Sequence, residues 1–546
     1  MTHEMKRTNN YIHKPSFLYR LLLAGVLLLG AGSCTKNFET YNTDNTAVNT
    51  DIVSLMKHIQ MGIYNFSNGG DPNSYQLQQN LNADCFSGYM MSANPFGGNT
   101  NLNYFMVTGW NGEAFKVVYL DVLAYINQLK ALGVDQDYPA VWAVAQIVQV
   151  MAMHRATDIY GPLPYSQAGA ARSDVPYNSQ QDIYNSFFTQ LDAAAATLRN
   201  FISSGEQLPF QFSSMDLVYD GDFTRWLQLA NSLRLRLAMH IVKADPALAR
   251  AEAEKALDPA AGGVIADNAG NMNVKVSGAG FSNPLVFIAR NWTDINIGAS
   301  IQSYLSGYND PRIGKYMDRS TDDDFPAQYV GIRIGSSVIK TAYQTYSTIN
   351  MKDGSNPSFT LSTPVQLMTA AEVYFLRAEA ALRGWANAGG APQALYEQGI
   401  NTSLAQWGVP DADYVNNDTS TAAAYVDPKN AANNAPAPSS ITIRWEETAT
   451  SEQKLERIIT QKWIAMFPEG QEAWTEFRRT GYPKLFPVVN NNSGGTIDTD
   501  IQIRRLPYPQ NEYNTNRNEL NKGIQLLGGP DNGGTRLWWD VDKGNF

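Results

Sequence analysis

Residues 461–483, QKWIAMFPEGQEAWTEFRRTGYP, read as a helical hairpin. Ile459, Trp463, Met466 and Phe467 mark one apolar face, which runs into Pro468-Glu469-Gly470. Proline cannot continue the helix and glycine tolerates the turn. A second short helix carries Ala473, Trp474 and Phe477 on one side and Arg478 and Arg479 on the other, and Gly481 and Pro483 stop it. Two helices joined by so short a turn lie antiparallel and bury their facing sides. The charges of the second helix, Glu469, Glu472, Glu476, Arg478 and Arg479, are expected to form a solvated face with local ion pairs, since exposed pairs are common and weak.

Working outward, the same pattern recurs. Tyr138–Ala156 is apolar nearly all round, which marks a central helix, and Ser179–Leu198 is its partner. Asp222 is placed to cap an amphipathic helix through Val242, paired with Asp245–Leu257. Thr363–Trp385 pairs with Ala391–Trp407, and Glu379 and Arg383 stand at i, i+4. The helix pairs near 138–198, 222–257, 365–407 and 452–480 suggest tetratricopeptide-like stacking, although their self-similarity is faint and their spacers are long. A first helix is expected over Asp51–Tyr64. Two loop-rich segments interrupt the pattern, 65–110 and 258–364; the second is too long to be structureless, and Val330–Lys340 alternates toward a hairpin.

Several segments carry a family likeness. The ending Glu-x-Trp…Arg-Arg-Thr-Gly-Tyr-Pro resembles the C-terminal signature of the SusD/RagB nutrient-binding lipoproteins. So do Thr157–Ser166 (TDIYGPLPYS), the Trp-x-x-x-Ala-Asn-Ser-Leu run in 226–233, Asn283–Arg312, Tyr374–Ala380 (YFLRAEA) and Ile503–Asn516. Together they extend over nearly the whole chain after Cys34. The resemblance implies a mainly α fold: tetratricopeptide-like hairpins in a right-handed superhelix, with loop-rich segments and a few short strands packed on it. It implies a single domain over 51–546. It also implies a surface-exposed, outer-membrane, non-catalytic protein. Such a protein binds a nutrient, usually an oligosaccharide, and delivers it to a SusC-like TonB-dependent transporter as its lid.

The N-terminus reads as an export signal. Lys6, Arg7, Lys14 and Arg20 precede Leu21–Gly30, a run of ten apolar residues that is too short to span a bilayer. Ala31-Gly32-Ser33-Cys34 resembles a bacterial lipoprotein box, with 1–33 removed, Cys34 lipidated and 34–50 a polar tether. The lipid is then the expected membrane anchor. Cys85 would be the remaining thiol, so no internal disulfide is expected. The whole chain carries −10; without the first 33 residues, which hold four basic residues and one acidic one, it carries −13. With no segregated basic patch, that balance argues against nucleic acid as a partner.

Candidate ligand contacts come from residue type and position. The chain holds 28 Tyr, 22 Phe and 11 Trp, and asparagines crowd the loops beside many of them. Aromatic faces next to amides suit a sugar, whose C–H faces stack on rings while amides meet its hydroxyls. Trp292 with Asn291 is the first candidate; Phe96, Tyr104 and Tyr89 follow. Trp110 and Phe105 are expected to pin their loop to the core. Catalytic signatures are lacking: His58, His154 and His240 lie far apart, and there is no HExxH, Cys-x-x-Cys, Gly-x-Ser-x-Gly or phosphate loop. No cofactor is expected, and nothing specific supports calcium, Asp220-Gly-Asp222 and Asp540-x-Asp542 being too short for a calcium loop. Carboxylate pairs of a glycosidase depend on the fold, so a surface glycoside hydrolase stays an alternative. A peptide-binding family member and a protein-binding scaffold are the others.

Overall fold

The computed structural model describes residues 45–64, 72–169, 174–276, 281–352 and 356–546. The expected signal peptide and the lipidated Cys34 lie outside them. The chain divides into two units, Met1–Ser54 and Leu55–Phe546, and the second holds nearly all the described residues. The first helix, α1 (Asn45–Gly62), begins six residues inside the stretch expected as tether.

Eight further helices form the frame: α2 (Pro139–Tyr160), α3 (Gln180–Ser204), α4 (Phe223–His240), α5 (Pro246–Ala256), α6 (Ala370–Leu382), α7 (Pro392–Gln406), α8 (Ser451–Met466) and α9 (Gly470–Thr480). They pack as the four expected hairpins, α2/α3, α4/α5, α6/α7 and α8/α9, and successive pairs touch through α3–α4, α4–α6 and α6–α8. This is a mainly α, tetratricopeptide-like architecture.

Local chemistry sets most of the helix ends. Ser179, Asp222 and Thr369 accept the first free N–H groups of α3, α4 and α6, and Thr450 with Gln453 forms a capping box on α8. Pro139 opens α2, whose fixed φ suits a first turn. Gly481 ends α9 with φ 78°, a left-handed conformation that costs glycine little. Gly399 lets α7 close on α6, since a Cβ there would stand 2.8 Å from the Phe375 ring.

Strands are few and short. β1 (Met90–Met91) pairs with β5 (Asn296–Ile297), β2 (Leu163–Pro164) with β3 (Tyr177–Asn178), and β4 (Met272–Val274) with β6 (Val365–Met368), all antiparallel. The hairpin expected over 330–340 does not form. Ile332 instead makes one isolated bridge with Gly298, and its N–H donates to Ile297 O at 2.8 Å. That alternating stretch finds its partner in the 290s rather than in itself.

The largest departure from expectation is α9. Every residue from Gly470 to Thr480 is buried, the charged ones included. Arg479 pairs with Glu379 and Glu476, each at 2.7 Å. Glu472 accepts from His240 at 3.0 Å and lies 3.7 Å from Arg236, which itself holds Glu372 at 2.6 Å. The polar side of α9 therefore meets the polar sides of α4, α6 and α8. Spacing within one helix cannot show that three others bring opposite charges.

Candidate functional site

The β1–β5 pair builds the site. Met90↔Ile297 and Met91↔Asn296 lay the loop after β1 beside residues 292–294, about two hundred positions away in sequence. Ser92 Oγ donates to the Asp294 carbonyl, and Asn94 Nδ2 donates to the Asp294 carboxylate at 3.0 Å. Lys340 Nζ reaches that carboxylate at 2.7 Å and the Trp292 carbonyl at 2.8 Å. Asn94 Oδ1 in turn accepts from the Phe96 N–H at 3.1 Å. One chain of polar contacts thus ties the Phe96 loop to the Trp292 turn.

The two rings are partly open. Trp292 ends a short π-helical turn, Ile288–Trp292, and stands edge-on to Phe287 at 5.7 Å. Phe96 has φ 44° and stands edge-on to Trp110 at 5.4 Å. Both are half-buried, so part of each side chain is accessible; Asn291 is exposed. Beside Phe96 lies a pocket of about 350 Å³ lined by Asn94, Asn99, Asn103, Asn490 and Asn492. Several of these amides brace the loops: Asn492 Nδ2 donates to Asn99 Oδ1 at 2.8 Å, and Asn490 Nδ2 to Gly335 O at 2.8 Å. The Ser336 hydroxyl lines the same pocket, buried and without a hydrogen-bond partner. No carboxylate lines it.

Two expected contacts are corrected. Tyr89 is fully buried between Trp463 and Phe467, and its hydroxyl donates to the Trp463 carbonyl. Tyr104 is buried with its ring against Phe86 at 6.4 Å. Neither presents a face to a ligand; both fill the core behind the loop. The assignments of Phe105 and Trp110 shift the other way. Phe105 is 47% exposed and pins nothing, and Trp110 is half-buried under Phe96. Reading the sequence missed Lys340 and Asn490–Asn492. The asparagine run followed by Gly494-Gly495 was a visible signal for the latter; nothing local marks Lys340.

Other candidate centres are accounted for. His154 Nδ1–H donates to the Val150 carbonyl at 3.1 Å, and burial drops its pKa to about 3, so it is neutral. His240, Glu472 and Glu476 have metal-ligand spacing. Lys462 Nζ stands 3.6 Å from Glu472 and 3.3 Å from Glu476, so an ammonium already takes the place of a cation. A larger cleft of about 680 Å³ lies between Tyr119 and Pro509–Asn516. Both its carboxylates are engaged: Glu512 accepts from Tyr177 at 2.8 Å and Glu113 holds Lys116 at 3.2 Å. Among the described residues, no helix is long and apolar enough to cross a membrane.

Stacked helical hairpins with long loop-rich insertions packed on them define a tetratricopeptide-type scaffold. The chain belongs to the SusD-like family, the SusD and RagB outer-membrane lipoproteins, whose family model matches residues 34–540. Solved structures agree. A chitin-binding SusD homologue from Flavobacterium johnsoniae is 43% identical with TM-score 0.85, over 91% of this chain and 100% of that one. SusD homologues from Bacteroides vulgatus (38%, 0.83, 90% and 98%) and Bacteroides uniformis (36%, 0.83, 90% and 99%) are similar. Among curated proteins no relative matches.

Proposed function

We propose that this protein captures an oligosaccharide at the cell surface and hands it to a SusC-like TonB-dependent transporter, over which it acts as a lid. A lipid on Cys34 holds it to the outer membrane, facing outward. Binding, with no bond broken, is its chemistry. The observation that carries this reading is the pairing of β1 with β5, which brings the Phe96 loop beside the Trp292 turn, with the asparagine-lined pocket flanking Phe96 through Pro95 and Gly97. Rings take the C–H faces of a sugar, and amides take its hydroxyls.

Calorimetric titration of the full chain in detergent against a glycan panel tests the reading. Chitin oligosaccharides go first, because a 43% identical relative is described as chitin-binding. Stacking on one ring is worth about 1–3 kcal/mol, by analogy with base–aromatic stacking. Trp292→Ala is therefore expected to weaken the bound glycan tenfold or more, with no reducing ends released by the parent. Binding unchanged in Trp292→Ala and Phe96→Ala overturns this site. A panel without binders and a peptide bound instead overturns the cargo class.

A further inference from the structure

Resting on the site proposed above, we infer that Lys340 is its positioning residue. The Lys340 ammonium clasps the turn that carries the Trp292 ring, so glycan affinity depends on Lys340 through that ring and not by contact with the glycan. Nζ donates to two oxygens of the turn, the Trp292 carbonyl at 2.8 Å and Asp294 Oδ1 at 2.7 Å. The same Oδ1 accepts from Asn94 Nδ2 at 3.0 Å. One ammonium and one carboxylate oxygen thus meet where three stretches of chain converge, 92–96, 288–294 and 335–340.

An exposed lysine–carboxylate pair contributes little by itself. This pair differs in what lies between its two bonds. Asp294 is 8% exposed, so its charge needs a partner in place. Thr293 has φ 52° and ψ 39°. A β-branched residue in that left-handed region is costly and persists only where its surroundings fix it. The Thr293 hydroxyl donates to the Trp292 carbonyl at 2.7 Å, but that bond lies within the turn and ties it to nothing else. Lys340 reaches in from another stretch of chain and bonds on both sides of the strained residue.

Lys340 can hold the turn because its own backbone is held. It opens the short helix Lys340–Tyr343, whose last N–H donates to the Ile339 carbonyl at 3.1 Å. The Tyr343 ring is buried and its hydroxyl donates to Asp427 at 3.0 Å. Just upstream, Ser336–Val338 line the asparagine pocket, so one stretch of chain shapes that pocket and fixes the ring. Without the ammonium, Asp294 stays tied to the Phe96 loop through Ser92 and Asn94. The Trp292 side of Thr293 is the side set free. As Thr293 relaxes the ring moves with it, and a glycan must then order the ring on binding, a cost that preorganisation avoids.

The test uses Lys340→Met, which keeps the stem and removes the donor, in the full chain in detergent. Calorimetry with chitotetraose reads binding. Fluorine NMR of the chain labelled with 5-fluorotryptophan reads the ring with no sugar present, the Trp292 signal being the one that Trp292→Phe removes. Lys340→Met is expected to shift that signal and to weaken chitotetraose by about three- to tenfold, a coupling usual for neighbours in one network. In the Trp292→Ala background it is expected to change binding by less than about twofold. The Lys340 side chain is 34% exposed, so the melting curve is expected to stay that of the parent. Asp294→Asn keeps the shape, removes the charge and is expected to shift the same signal, which covers a Lys340→Met chain that fails to fold. A Trp292 signal unmoved in both variants overturns the inference. So does chitotetraose bound equally by Lys340→Met and the parent, or an equal loss with and without the Trp292 ring, the mark of direct contact. A shifted signal in a chain that binds no glycan upholds the clasp and overturns the proposed cargo instead.

Discussion

Gly470 shows how much one residue can carry. It opens α9 directly against Asp84, and a Cβ there would stand 2.3 Å from the Asp84 carboxylate and 2.5 Å from its Cα. Because backbone lies in the way, Gly470→Ala forces a shift. It is expected to lower stability by about 1–3 kcal/mol, as overpacking does, read as a drop in the urea midpoint. His240 makes a different demand. Burial pulls its pKa down, yet the Glu472 charge and the bond to Asp158 outweigh that and raise it to about 9. The unfolded imidazole titrates near 6.5. The contribution of the charged ring to stability is therefore fully present below about pH 6.5 and lost as pH climbs through 9, on the order of 3 kcal/mol. Urea unfolding of the parent between pH 6 and 9.5 is expected to show this loss, and His240→Gln to lack most of the slope. A parent with flat stability over that window rules the ion pair out.

At the scale of the element, α9 is an amphipathic helix without an exposed side. Trp474 and Phe477 pack inward as their spacing indicates, while Glu472, Glu476 and Arg479 meet Arg236, Lys462 and Glu379. Such a bridge is worth little more than an apolar replacement, but breaking one half is costly because a charge is left buried. Arg479→Met is expected to destabilise by about 3–5 kcal/mol. Glu379 keeps Arg383 at 2.8 Å and Glu476 keeps Lys462 at 3.3 Å, so the lower half of that range is expected. Chemical denaturation measures it, and a change under about 1 kcal/mol would place Arg479 with ordinary surface pairs. The helix ends were legible because caps and breakers act over four or five residues. The burial of the charged face was not, because its partners come from three other helices.

Over the whole molecule, the C-terminal tail closes the structure. Trp539 is fully buried and its indole N–H donates to Asp158 at 2.8 Å, and Asp540 holds Arg504. The tail thus joins the segment after α9 to α2, whose Asp158 lies 381 positions from Trp539. Trp539→Ala is expected to cost about 3–5 kcal/mol and to lower the melting temperature. A variant that melts like the parent would show the tail to be peripheral. Trp538 beside it is only half-buried.

The sequence by itself determined the hairpins, their order and their caps, since periodicity, proline, glycine and capping side chains act locally. It also contained the family motifs, which lie mostly in those helices and turns. The tertiary structure alone decided which rings keep a free face. Tyr89, Tyr104 and Phe96 look alike as loop aromatics, yet only Phe96 stands partly open. That outcome depends on β1 meeting β5 and on Trp463, Phe467 and Phe86 closing over the other two. Burial is a property of neighbours distant in the chain, and no local pattern encodes them.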